Sequence, residues 1–380
     1  MKNLRVALIH DWLVGKFGAE NVFTEIIKIF PNSEIFTIID TVPENERAFL
    51  QGRKTHQSFI AKLPFAKKHF RKYLSLMPIA IEQFDLDGFD LVISSSSAVA
   101  KGIIPKPNQL HICYINSPIR YGWDLENHYI KESNITGLKK LILKYSMHKM
   151  RMWDVTSSHR VDHFISNSSF IKARVLKYYR RDAEVLNPNV DVEYFGEERD
   201  ESKKSDYFFT IARHVPYKKI DLIVKAFNQM PNRTLVVGGS GDQTEYLKKI
   251  AGPNITFTGH IARAEVRQHM QNAKAFLYAA LEDFGIVMGE SLAAGTPVIA
   301  YGVGGSRDIV RDKSEYADAT GILFKEQTEE SLVEAIKVFC KNEEIFTPEN
   351  CIASVTHLSA ANFRKSFQKI IENQLEASST

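Results

Sequence analysis

Cysteine, tryptophan and long apolar runs are all scarce in this chain. Its three cysteines, Cys113, Cys340 and Cys351 in 380 residues, are odd in number and show no metal-ligand spacing. That pattern excludes a disulfide framework and suits a reducing, cytoplasmic compartment. No apolar stretch reaches the ~18 residues a membrane helix needs. The opening Met-Lys-Asn-Leu-Arg-Val-Ala-Leu-Ile-His10 has too short an apolar part for a signal peptide. No G-x-G-x-x-G with a following acid is present, which removes the usual sequence support for an NAD-dependent oxidoreductase. Internal repeats and aromatic-rich nucleic-acid modules are missing too, so no nucleic-acid partner is expected.

What remains is a soluble globular composition, 44% hydrophobic and 25% charged, long enough for two domains. The net charge of +4 hides an asymmetry: residues 1–195 sum to +7 and the remainder to −3. A basic first half is compatible with anionic lipid or a phosphorylated substrate. Residues 1–195 read as one α/β domain, 196–206 as a polar linker, 207–355 as a second α/β domain, and 356–380 as a helix reaching back to the first.

In the first half, strands at Leu4–His10, Ile35–Ile39, Phe89–Ser94, His111–Ile115 and Val161–Ser166 alternate with helical runs. The loop after the first strand holds Asp11 and Gly18, and the loop after His111–Ile115 holds Asn116, Arg120, Trp123 and Asp124. So many polar and aromatic groups leaving one strand end favour a binding loop. Residues 57–74 interleave Lys62, Lys67, Lys68, Arg71 and Lys72 with Phe59, Ile60, Leu63, Phe65, Phe70, Tyr73 and Leu74. That suits a helix lying on an anionic membrane, or an ordinary amphipathic helix whose apolar side joins the core. Leu138–Trp153 is a second basic amphipathic segment.

The second half turns on Ala279–Ala300, read as strand, loop, helix and strand. It carries Glu282 on the loop and Glu290 inside the helix, which ends at Gly295. Upstream, Arg213 and Lys218 follow one strand, Gly238–Gly241 a second and Gly259-His260 a third; Gly304-Gly305 follow the last. In a parallel sheet these loops share one edge, where ligands bind. A guanidinium and an ammonium suit a diphosphate. Glycines let backbone N–H groups come close to it, and carboxylates accept from sugar hydroxyls. The residues alone therefore indicate a sugar nucleotide held by the second domain, with the acceptor held by the first.

Glu282-x7-Glu290 followed by Ser-Leu-Ala-Ala-Gly295-Thr-Pro297-Val resembles the signature of the GT4 family of retaining glycosyltransferases. The first half resembles its mannosyltransferase-like branch of O-antigen, capsule and exopolysaccharide assembly. The matching residues are Asp11-Trp12, Gly18-Ala-Glu20, Asp90–Ser96, Ala100-Lys-Gly102, Ser117-Pro118-x-Arg120-Tyr-x-Trp123-Asp124 and Ser166-Asn167-Ser168. The resemblance implies a GT-B fold, two Rossmann-like doubly wound domains facing a cleft.

It also implies roles. Glu290 would hold the ribose and Glu282 the donor sugar, with backbone N–H groups of Phe284, Gly285, Ile286 and Val287 beside it. Arg213 and Lys218 would bind the diphosphate, and Glu282, Arg213 and Lys218 form the catalytic set. Gly18, Asn116, Gly239 and His260 complete the donor site; Asp11, Arg120, Trp123 and Asp124 fall to the acceptor. No metal or other cofactor is implied, because protein cations replace Mg²⁺. Three positions depart from the family pattern: Phe17-Gly18 where Gly-Gly is frequent, Asn116 where histidine is usual, and Asp308 where glutamate is commoner. An amide at 116 can bond a hydroxyl but cannot titrate as imidazole does.

The expected reaction is transfer of mannose from GDP-mannose, with retention and no protein nucleophile, to a lipid-linked saccharide. The enzyme would be peripheral at the inner face of the cytoplasmic membrane. The competing readings are a donor with another base or sugar, and a non-catalytic nucleotide-sugar-binding subunit.

Overall fold

In a computed structural model, described for residues 4–15, 17–124, 126 and 136–378, the chain forms two all-parallel sheets. The first holds β1 (Val6–His10), β2 (Glu34–Thr37), β3 (Thr55–Gln57), β4 (Leu91–Ser96), β5 (Leu110–Ile115), β6 (His163–Ser166) and β7 (Glu184–Val185). Their order in space is β3-β2-β1-β4-β5-β6-β7. The second holds β8 (Tyr207–Ile211), β9 (Thr234–Gly238), β10 (Ile255–Gly259), β11 (Ala275–Tyr278), β12 (Val298–Tyr301) and β13 (Gly321–Phe324). Its order is β10-β9-β8-β11-β12-β13. In each sheet the chain winds outward in one direction, then returns to the far side of its first strand. That reversal, between β1 and β4 and between β8 and β11, is where a doubly wound sheet leaves a crevice.

The central strands are near-continuous apolar runs because both of their faces are covered. Alternate residues enter opposite cores: Leu8 and Ile93 on one side of the first sheet, Ala7, Ile9 and Val92 on the other. In the second sheet Phe208, Leu277 and Ile299 face one core, and Phe209, Phe276 and Val298 its counterpart. The covering helices used below are α1 (Gly18–Ile29), α2 (Gly137–Ser158), α3 (Ser169–Tyr179), α4 (Ile220–Asn228), α5 (Ile286–Ala293), α6 (Glu329–Cys340) and α7 (Ala360–Ser378). In α7, Phe363, Phe367, Ile370 and Ile371 recur at the spacing of one helix face and enter the core of the first sheet.

By chain contacts the two units are Met1–Asn187 with Phe363–Thr380, and Pro188–Asn362. The first therefore ends before residue 195, where polarity alone had put its limit. Val190 and Phe195 are buried with Met270, Phe276 and Leu292, and the Val190 N–H bonds the Leu358 carbonyl at 2.8 Å. Residues 196–206 are tethered to this second unit as well. Lys204 donates to the Gln271 carbonyl at 3.1 Å and to Thr296 Oγ1 at 2.7 Å, and the Ser205 N–H to Asn272 O at 2.8 Å.

The basic segment 57–74 is not one helix. Pro64 removes an N–H group a continuous helix needs, and the chain makes short turns at Phe59–Lys62, Ala66–His69 and Phe70–Leu76. Ile60, Ala66 and Phe70 are buried, and Phe59, Leu63, Tyr73 and Leu74 pack against the same core; Phe65 is exposed. The core reading of this segment prevails.

Candidate active site

The reversal between β8 and β11 positions the second unit's charged loops. Arg213 leaves β8, Gly239 leaves β9, His260 leaves β10, and Glu282 leaves β11 just before α5. A cavity of about 700 Å³ opens there, lined in part by Arg213, Gly239, His260, Arg263, Val287 and Glu290. Its size lies within the range of small-molecule sites. Its wall needs glycine at 239: φ is 98°, and a Cβ would stand 2.0 Å from the Ala212 carbonyl oxygen. The Gly239 N–H bonds Gly259 O at 2.8 Å and the His214 N–H bonds Ser240 O at 2.9 Å, so three strand ends are laced together. His214 is buried beneath, its ring between Thr244 Oγ1 at 2.9 Å and Gly238 O at 3.2 Å.

Of the charged side chains lining the cavity, two are chemically available. Neither the Arg213 guanidinium nor the Glu290 carboxyl bonds a side chain or backbone group among the described residues. Burial pushes the Glu290 carboxyl up to about 7; the nearby Arg263 charge pulls it down and Asp191 pushes it up. Arg263 is itself bonded to Asp191 at 2.6 Å and lies 4.3 Å from the centre of the Tyr194 ring. Sequence reasoning passed over Arg263 and Asp191. The signal was the continuation of the His260 loop into a cation three residues on.

Lys218 and Glu282 form a second cluster. Lys218 Nζ donates to Glu282 Oε1 and, at 2.9 Å, to the Tyr278 hydroxyl, which donates to the same Glu282 oxygen at 3.0 Å. Burial works against the Lys218 charge, but Tyr278 and Glu282 together outweigh it and hold the ammonium well above its ordinary range. Tyr278 was also missed, because as the last residue of an apolar strand it reads as core.

Phe284 is buried in the core, and Ile286 packs against it; Gly285 precedes α5 with φ 96° and allows the turn into the helix. Gly304 and Gly305 serve loop packing. The Gly305 N–H is taken by Glu282 O at 2.9 Å, and a Cβ there would meet Phe284 Cα at 2.3 Å. They press the Glu282 loop into place.

In the first unit the structure corrects the assignment of Asp11 to the acceptor. Asp11 is buried, and its carboxylate accepts four backbone N–H groups. Ser97 and Ala98 bond one oxygen at 2.5 and 3.0 Å, Val99 and Ala100 the other at 2.7 Å each. A carboxylate has about four lone-pair sites, so none is left for a ligand. Asp11 fills the anion position that the β1/β4 reversal creates. Trp123 donates its Nε1–H to Asp154 Oδ2 at 2.8 Å and stacks on Tyr178 at 4.4 Å. Asp124 pairs with Arg174 at 2.5 Å. Arg120 sits in the helical turn Arg120–Gly122, half-buried. Gly18, which opens α1, is exposed. Asn116 is buried; its side-chain amide donates to Ser95 Oγ at 3.2 Å and its backbone carbonyl accepts from Asn167 Nδ2 at 3.0 Å.

One Asp-x-Asp pair exists, Asp85-Leu86-Asp87, in the turn before β4, and it went unread in the sequence. Asp87 pairs with Lys106, and its N–H bonds Asp85 Oδ1 at 2.9 Å. Among the described residues no three His, Cys, Asp or Glu side chains gather as metal ligands.

Comparison with known proteins places the second unit. Residues 193–355 match the family described as glycosyl transferases group 1. The alpha-1,3/1,6-mannosyltransferase ALG2 of Kluyveromyces lactis is 25% identical over 56% of the chain and 54% of its own length. A GDP-mannose-dependent alpha-(1-6)-phosphatidylinositol monomannoside mannosyltransferase of Mycobacterium tuberculosis is 34% identical over 27% of the chain and 31% of its own length. The chain thus spans about half or less of these relatives. Among solved structures, the lipopolysaccharide outer core galactosyltransferase WaaB aligns over 98% of the chain and 100% of its own, at 17% identity and TM-score 0.67. Anabaena HepE in complex with UDP aligns over 97% and 100%, at 14% identity and TM-score 0.69. The second unit thus carries a domain of the glycosyl transferases group 1 type, and the chain's two Rossmann-like sheets follow the GT-B plan of these solved structures.

Proposed function

We propose that this protein is a retaining hexosyltransferase that moves mannose from GDP-mannose to a lipid-linked saccharide in surface polysaccharide assembly. The observation that carries the reading is the cavity at the β8/β11 reversal. There Arg213 and Glu290 face one space with no bonded partner among the described residues, a cation for diphosphate and an acid for ribose hydroxyls. The mannosyl donor follows the two curated relatives, one of which is GDP-mannose-dependent by name.

In the proposed reaction the bond from the anomeric carbon to the diphosphate oxygen breaks, and the acceptor hydroxyl bonds that carbon on the same face. The acceptor proton passes to the departing diphosphate, whose growing charge Arg213 and Lys218 stabilise. Lys218 is bonded to Glu282 and Tyr278, and in the proposed reaction part of that pairing passes to the donor: the ammonium turns to phosphate and Glu282 to the sugar. No metal takes part, and the first unit supplies the acceptor site.

Isothermal titration with GDP, UDP and GDP-mannose, followed by the anomeric configuration of the product by NMR, tests this. Tight GDP binding and an α-linked mannoside from the α-configured donor support it. Preference for UDP transfers the reading to a UDP-sugar donor, an inverted anomer removes retention, and binding without turnover leaves a nucleotide-sugar-binding subunit.

A further inference from the structure

Helix α2 carries its apolar side chains on the side away from its core. Its buried positions are Met147, Met150, Asp154, Ser157 and Ser158, so nothing before Met147 is buried. Leu138, Leu141, Ile142, Tyr145 and Met152 are exposed by 71, 64, 57, 61 and 52%. With side chains about 100° apart these five form one stripe, opposite Met147, Met150 and Asp154. A stripe of this kind on a soluble surface marks something that covers it.

The charges around the stripe say what. From Gly137 to Trp153 the helix has Lys139, Lys140, Lys144, His148, Lys149 and Arg151 and no acidic residue. Lys139 flanks the stripe on one side, Lys144 and His148 on the other. Lys149 falls within it, its ammonium 5.6 Å from the centre of the Tyr145 ring. Lysine stems can lie along the apolar stripe while their ammonium groups reach outward to headgroup phosphates. A second copy of this chain would bring the same lysines face to face, and a groove in another protein would need an acidic rim.

We propose that the stripe Leu138, Leu141, Ile142, Tyr145 and Met152, with its lysine flanks, is a surface that lies on an anionic lipid bilayer. This deepens the proposed function, resting on its lipid-linked acceptor: it names the part of the chain that meets the membrane bearing that acceptor. Segment 57–74, whose apolar residues other than Phe65 are spent on the core, is not that surface. Among the described residues no helix is long and apolar enough to cross a membrane, so contact is along the surface.

The test is co-sedimentation of the full chain with vesicles of phosphatidylcholine alone or mixed with phosphatidylglycerol. Binding to the mixed vesicles should exceed binding to the neutral ones by about tenfold and weaken with added salt. Leu141→Ser with Ile142→Ser, and separately Lys139→Gln with Lys140→Gln and Lys144→Gln, should each lower it by about tenfold. All five positions are at the surface, so melting temperature and the thermal shift given by nucleotide should not change. Wild-type binding that ignores phosphatidylglycerol, or variants that bind like wild type, would overturn the proposal. So would an oligomer of the wild type that the serine variant dissolves, which would make the stripe a self-association surface. Nucleotide binding is read in the same samples, so loss of the lipid surface and loss of the transferase reading are told apart.

Discussion

Lys218 and Glu282, sixty-four residues apart, are ion-paired, and the Tyr278 hydroxyl bonds both, at 2.9 and 3.0 Å. The pair comes from two strand ends that the fold makes neighbours, β8 and β11. Tyr278 is anchored in the last position of β11, so it fixes where the two flexible side chains meet.

Removing that hydroxyl separates positioning from binding. Tyr278→Phe keeps the ring and its packing but frees both partners by one bond. We expect kcat to fall about tenfold with KM for the donor within about threefold, the pattern of a lost orienting contact. Glu282→Ala, which removes the acid itself, should lower kcat by about a hundredfold or more. Steady-state kinetics on both variants decides; a Tyr278→Phe enzyme with wild-type kcat would leave Tyr278 a packing residue.

Glu290 makes the site sensitive to pH. Burial raises its carboxyl to about 7 from the ordinary 4.5, so the fold favours the protonated form. The stability this carries is fully present below about pH 4.5 and is lost as pH rises through about 7. Glu290→Gln should therefore match wild type in unfolding free energy at about pH 4.5 and exceed it at about pH 8, by roughly 1–3 kcal/mol. Nucleotide binding should run the other way in wild type, because the ionised carboxyl is the better acceptor for ribose hydroxyls. Affinity for GDP measured at both pH values in both proteins separates this from titration of the phosphate. Identical pH slopes would detach Glu290 from the ribose.

Phe367 measures how far α7 supports the first unit. It is fully buried with Phe363, Tyr114 and Ile370, its ring stacked 5.8 Å from that of Phe363. Phe367→Ala should cost about 3–5 kcal/mol, the usual range for an aromatic removed from a core. Urea denaturation followed by circular dichroism gives the value; a loss under about 1 kcal/mol would mean that the helix contributes little to that core.

The alternation of apolar strands with amphipathic helices was legible because parallel sheets covered on both faces leave continuous runs such as Leu4–His10 and Val298–Tyr301. The meeting of Arg213, Gly239, His260 and Glu290 at one cavity was legible for the same reason, since loops after parallel strands share an edge. Pairing was not. Whether a charged residue faces a ligand or its own chain depends on partners distant in sequence, as with Asp11 and the N–H groups of Ser97–Ala100. The limit of the first unit was equally hidden, because Val190 and Phe195 are buried by residues that come seventy and more positions later. Segment 57–74 shows the same limit from the other side: composition states that a stretch is basic and apolar, and only packing states which way its apolar side turns.

Asp11 supplies the sharpest contrast between a binding residue and a structural one. Its two oxygens accept four N–H groups from the loop after β4, at 2.5 to 3.0 Å, in a buried position. Asp11→Ala strips four backbone donors of their partner at once. Even if water reaches some of them, the cost should be about 3–5 kcal/mol, as for other buried charges removed from their donors. Asp11→Asn keeps the shape but offers one oxygen acceptor and places an NH₂ against two of the N–H groups, so it should cost nearly as much. A ligand-binding Asp11 predicts the reverse: stability close to wild type, with activity lost. Urea titrations of both variants, with the GDP-induced thermal shift as a readout confined to the second unit, decide between the two. Loss of stability with the nucleotide response kept identifies Asp11 as the anchor of the β1/β4 reversal.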